Sequence, residues 1–203
     1  MDKKPIHKVV QRGTVVENRV NRLLLGGYDD YSSNIDQEGY PFKMFYNSVR
    51  RCKMDIPVLF GYLNMWGGTV DNSVFVPNNV PSLKNSKQFV YNKKLKRGIL
   101  LPSSTVSKYL AATDKYWRGI IEDVKQVVDS NSRIKLKMGF IRDSARIFDL
   151  INAAQIVQDL LVKHDMIADD NANHLIPEFD DKKPYIIDKK NSGIIITFKT
   201  LEN

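Results

Sequence analysis

The run from Arg133 to Phe198 constrains this chain more than any other stretch. Arg133–Ile141 alternates basic with apolar residues, placing Ile134, Leu136, Met138 and Phe140 at every second position, the period of a strand with one buried face. From Asp149 to His164 the period changes. Leu150, Ala153, Ala154, Val157, Leu160 and Leu161 cover one broad helical face, while Asp149, Asn152, Gln155, Asp159 and Lys163 line the other. A strand is expected over Ala172–Ile176, then a polar loop, then a closing strand over Gly193–Phe198. Upstream, Val70–Val76 and Gln88–Tyr91 read as strands, with Lys93–Gly98 as a turn. Ser104–Val128 reads as a helix, its apolar residues recurring at steps of three and four. The order β, β, α, β, α, β, β predicts an α+β domain over residues 66–203, a small mixed sheet backed by two helices.

Residues 1–65 read as an N-terminal extension whose role the sequence does not name. Thr14–Glu17 has capping-box spacing and opens a helix that stops at Gly26-Gly27. Residues 28–41 are loop-like. A short helix around Phe42–Cys52 and an apolar run from Pro57 to Trp66 follow. The chain has no stretch apolar enough to span a membrane, and its basic start lacks a signal peptide's apolar segment. Cys52 is the single cysteine, which excludes an internal disulfide and a cysteine-based zinc site and fits a reducing cytoplasm.

Charge points to a polyanion. The chain carries +8, and the segment Lys84–Arg118 alone accounts for that excess, with nine basic residues against Asp114. Phe89, Tyr91, Tyr109, Tyr116 and Trp117 are interleaved with it. Cations neutralise phosphates and aromatics stack on exposed bases, so the composition suits a nucleic-acid surface; a solvated basic face with ordinary core aromatics is the alternative.

One concentration of carboxylates stands out. Asp149 opens the second helix, Asn152 follows on the same face, and Asp169-Asp170-Asn171 closes the loop after it. Carboxylates that hold Mg²⁺ activate water for phosphodiester hydrolysis. Spacing alone leaves a second reading open: Asp149 as an N-cap and Asp169-Asp170-Asn171 as an acidic turn. The two carboxylates meet only if the chain turns back along the helix.

The run Arg142-Asp143 … Phe148-Asp149-Leu150-Ile151-Asn152-Ala153-Ala154-Gln155 … Asp159-Leu160-Leu161 … Ile167-Ala168-Asp169-Asp170-Asn171 resembles the signature of the RusA-like Holliday junction resolvases, nucleases of phage and prophage origin. In that family Asp-x-Asp-Asn-x-x-Lys opens a helix, Asp-x-Leu follows about one helix length on, and an Asp-Asp pair precedes the next strand. Pro81-Ser82-Leu83-Lys84-Asn85-Ser86-Lys87 is similar to the family's loop after its first strand, and the likeness covers about residues 70–200. Two positions depart from it, Ile151 for the second acid and Gln155 for the lysine.

The resemblance implies a RusA-like fold and a homodimeric, Mg²⁺-dependent (alternatively Mn²⁺-dependent) endonuclease. Its substrate would be four-way or other branched DNA, in recombination and repair within a bacterial host's cytoplasm. Asp149 and Asp170 would bind the metal, with Asn152 as polar support and Asp169 as a neighbour. Lys84, Asn85, Lys87, Lys93, Lys94, Lys96, Arg97, Arg142 and Arg146 would bind DNA. Ile151 and Gln155 favour two rival readings, a non-cleaving binder of branched or single-stranded DNA on the same fold, or a structural phage adaptor. Asp159 is expected in a structural hydrogen bond or ion pair. His7, His164 and His174 lack metal spacing, and Cys52 is expected to be inert.

Overall fold

A computed structural model describes residues 44–82, 87–129 and 132–201. The capping box at Thr14–Glu17, the loop at 28–41, His7, Lys84 and Asn85 lie outside them. Within them the elements run α1 (Met44–Cys52), α2 (Ile56–Met65), β1 (Ser73–Pro77), β2 (Lys87–Asn92), β3 (Arg97–Pro102), α3 (Ser104–Lys125), β4 (Ile134–Arg142), α4 (Leu150–Lys163), β5 (Leu175–Glu178), β6 (Tyr185–Ile187) and β7 (Gly193–Thr200).

The protein is α+β with a mixed sheet. Five strands form it in the order β1-β7-β4-β5, with β6 also paired to β4. The β1–β7 and β7–β4 pairs are antiparallel, whereas β5 and β6 run parallel to β4. β2 does not join this sheet as a sequence-based count suggests; it pairs with β3 in a separate two-stranded ribbon. β3 falls on residues that read as a turn and its sequel, and β6 lies inside the expected polar loop. Both strands are short, and neither carries a sustained one-sided alternation.

Period-two patterning places the main core. Val74, Val76, Ile134, Leu136, Met138, Phe140, Ile194, Ile196 and Phe198 share it with Trp117, Ile120 and Val124 of α3 and Val157, Leu160 and Leu161 of α4. The opposite face is also covered, which is why β1 is buried at every residue. There the Trp66 ring lies against Gly139, where any Cβ would collide with it, and the indole N–H donates to the Lys183 carbonyl at 2.7 Å. Ser48 of α1 accepts the Phe75 N–H at 2.8 Å, satisfying a backbone donor of the outer strand β1.

The expected boundary at residue 65 therefore falls in the wrong place. Phe45, Val49, Leu59 and Leu63 are fully buried, and α1 and α2 belong to the same packed unit as the sheet. Pro57 and Gly61 obscure α2 in the sequence; a side-chain cap from Asp55 to the Val58 N–H starts the helix, with proline in its tolerant first turn.

Candidate functional site

β4 ends at Arg142, and the chain crosses an irregular loop before Asp149 caps α4. This loop and residues from the β1 side and from Lys189 enclose an open cleft of about 950 Å³. Asn79, Ser82, Arg142, Asp143, Arg146, Asp149 and Lys189 all line it. Arg142 is buried, although it is a cation at a strand end. Its Nη1 donates to the Val80 carbonyl at 2.9 Å, and its guanidinium carbon lies 4.1 Å from the centroid of the Phe148 ring. Phe148 is itself held edge-on by Tyr185 and Phe140. Burial lowers the Arg142 pKa, and the nearby Asp143 charge opposes that shift.

Asp149 performs a structural task in this cleft. Its Oδ1 accepts the Asn152 N–H at 3.0 Å and its Oδ2 accepts the Asn152 side-chain amide. Asn152 is buried rather than on the polar face, and donates both hydrogen bonds to Asp149 there. Asp169 similarly accepts the Asn171 side-chain amide and the Asp170 N–H, which hold its carboxyl below the usual range.

The two acidic positions stand at opposite ends of β4. Leu175, first residue of β5, pairs with Ile134 at the start of β4, so Asp169-Asp170-Asn171 lies at that end. Asp149 follows the other end, and the 14 residues of α4 separate the two by roughly 20 Å. The chain does turn back along the helix, but only after Asp170 has been passed. Asp170 instead acts on Asp159, whose carboxyl is pushed up by burial first and by the Asp170 charge second. Among the described residues no three His, Cys, Asp or Glu side chains gather as a metal-binding group. The expected pairing of Asp149 and Asp170 around one Mg²⁺ does not fit this single-chain geometry. Ile151 is 59% exposed beside the cleft, where an acid would meet solvent.

The basic segment 84–118 divides between two structures. Tyr109 and Trp117 are core residues of α3, and Arg118 pairs with Asp114 on its surface. The β2–β3 ribbon keeps the exposed part: Phe89 is 74% and Tyr91 59% exposed, on one face by their register opposite Leu100 and Gly98. Lys93, Lys94, Lys96 and Arg97 form the turn and its exit, all exposed and none ion-paired among the described residues. Asn92 shapes that turn by accepting the Lys94 and Leu95 N–H groups. Lys87 opens β2.

Two residues that composition passes over belong to the cleft, Lys189 and Asn79. Each is remote in sequence from the Asp149 run; the β1–β7–β4 pairing brings Asn79 beside it, and the β4–β6 pairing brings Lys189. His164 caps α4 and His174 shares the Asn171 turn, and burial pushes the Cys52 thiol up to about 12. No helix among the described residues is long and apolar enough to cross a membrane. The fold and site thus define an α+β protein with a cation-lined cleft and a separate two-stranded ribbon with an exposed basic turn. Neither a family model nor a curated protein matches the sequence.

Proposed function

We propose that this chain binds branched DNA as a protein of the RusA-like kind. The β2–β3 ribbon carries the reading: four cations at its turn, unpaired among the described residues, adjoin an exposed aromatic face, and no apolar core claims either. The cations would neutralise phosphates without reading sequence, and Phe89 and Tyr91 would stack on bases left unpaired at a branch point. A homodimer would present two such ribbons to the arms of a four-way junction under matching two-fold symmetry. Fluorescence anisotropy on a synthetic four-way junction, and on a duplex of the same sequence, tests this. The junction should bind more tightly. Neutralising Lys93, Lys94, Lys96 and Arg97 together should lower the salt slope by up to about 0.9 for each phosphate no longer neutralised. Equal affinity for junction and duplex, or an unchanged slope, would sink the reading.

The second reading is a Mg²⁺-dependent endonuclease for the same DNA. What favours it is the place of Asp149, which shares the cleft with Arg142 and Arg146 as the family signature implies. A cleavage assay with and without Mg²⁺ or Mn²⁺ decides it. Asp149→Asn should abolish cleavage and leave junction binding intact, whereas Asp170→Asn, a helix length away, should leave both unchanged. Ile151→Asp should reduce the Mg²⁺ needed for half-maximal rate. Absence of metal-dependent cleavage leaves the binder.

A further inference from the structure

Three buried polar atoms without a hydrogen-bond partner among the described residues belong to residues lining the same cleft: Arg142 Nε, Ser82 Oγ and Asn79 Oδ1. Orphaned polar atoms are rare in folded proteins because each forfeits its hydration, so three around one opening call for a ligand. Arg142 is 7% exposed and cannot swing out to water, being tied through Nη1 to Val80 and stacked on Phe148. It forms no ion pair among the described residues, and Asp143, the next residue and a lining acid, accepts from Ser144 Oγ instead. Arg146 and Lys189, also without an ion pair among the described residues, add charge at the rim. Asp149, the other acid present, has both oxygens occupied by Asn152, and the positive end of α4 lies behind it. Cations exceed carboxylates, and the orphaned atoms include a guanidinium N–H and a hydroxyl. That set matches an oxyanion with several acceptor atoms.

We propose that this cleft binds a phosphate group. Arg142 is its buried anchor, Ser82 donates a hydrogen bond, Asn79 turns its amide to present NH₂, and Arg146 and Lys189 neutralise charge from the rim. The proposal rests on the DNA-binding reading only for the source of the phosphate: a DNA strand supplies it in that reading, and a free phosphate compound carries the same chemistry.

The test is titration of the ¹⁵N-labelled full chain with inorganic phosphate, following arginine Nε–H resonances, with chloride at equal ionic strength as control. One Nε–H, assigned by its loss in Arg142→Lys, should move downfield with phosphate and not with chloride. Arg142→Lys keeps the charge but loses the planar fork, and should weaken phosphate binding about tenfold or more. Because that change also removes the hydrogen bond to Val80, Arg146→Gln, Lys189→Gln and Ser82→Ala accompany it. The two rim variants should weaken phosphate several-fold with unchanged melting. Ser82→Ala should weaken phosphate while leaving stability equal or higher, since it deletes an orphaned hydroxyl, a combination that a purely structural serine would not give. No phosphate-dependent Nε–H shift, or wild-type affinity in all three accessory variants, overturns the proposal. Adding the four-way junction to phosphate-loaded protein separates the sources. Displacement assigns the phosphate to a DNA strand. Retention of bound phosphate supports the cleft as a site for a free phosphate compound and counts against the DNA reading alone.

Discussion

Asp149 holds α4 by its first turn, both oxygens engaged with Asn152. Asp149→Asn keeps the cap to the Asn152 N–H but loses the acceptor for the buried Asn152 amide, so it should cost about 1 kcal/mol, and Asp149→Ala, which loses both acceptors, should cost more. Urea denaturation midpoints measure both. An Asp149→Asn variant that still unfolds cooperatively, binds the junction and fails to cleave would separate chemistry from capping. Asp159 makes a different case. Its folded-state pKa lies above the unfolded value, so its ionisation opposes folding as pH rises through the carboxylate range. Asp159→Asn should raise the melting temperature near pH 7 and have no effect near about pH 3, where the carboxyl is protonated in both states. A stabilisation equal at both pH values would rule out this electrostatic origin.

Among the elements, α4 and the ribbon show how much of the site is local. The apolar stripe of α4 is legible because helical period and burial agree: Ala153, Ala154, Val157, Leu160 and Leu161 are all buried. The ribbon is less legible, since the consecutive apolar Ile99-Leu100-Leu101 of β3 (Arg97–Pro102) give none of the alternation that marks a half-buried strand. Gly98 makes room for an exposed ring: Phe89 lies directly over that residue, in the space a Cβ would need. Phe89→Ala with Tyr91→Ala should leave the melting temperature unchanged, because neither ring belongs to the core. It should cost single-stranded DNA affinity about 1–3 kcal/mol for each base no longer stacked. An oligonucleotide titration beside a thermal melt reads both, and retained affinity would leave only the ribbon's charge to engage DNA.

For the whole molecule, the consequential difference lies at the N-terminal boundary. Removing residues 1–65 strips Phe45, Val49, Leu59 and Leu63 from the interior, and losing even one large core side chain costs about 2–5 kcal/mol. A chain beginning at residue 66 should fail to fold, shown by loss of near-ultraviolet circular dichroism and of a cooperative melt; a cooperative melt at the full-length temperature would overturn this. The sequence by itself determined the α+β class, the strands β1, β4 and β7 and the helices α3 and α4, because burial on a regular face leaves a periodic trace along the chain. It also marked the basic surface and Asp149 as a helix start, both properties of neighbouring residues. Only the tertiary structure decided that α1 and α2 share the core, that β2 leaves the sheet, and that Asp149 and Asp170 stand a helix apart. It alone brought Asn79, Ser82, Arg142 and Lys189 to one cleft. The reason is physical: strand pairing and direction follow from which faces can be buried together across long sequence separations, and a parallel β5 beside β4 sends the acidic turn to the far end.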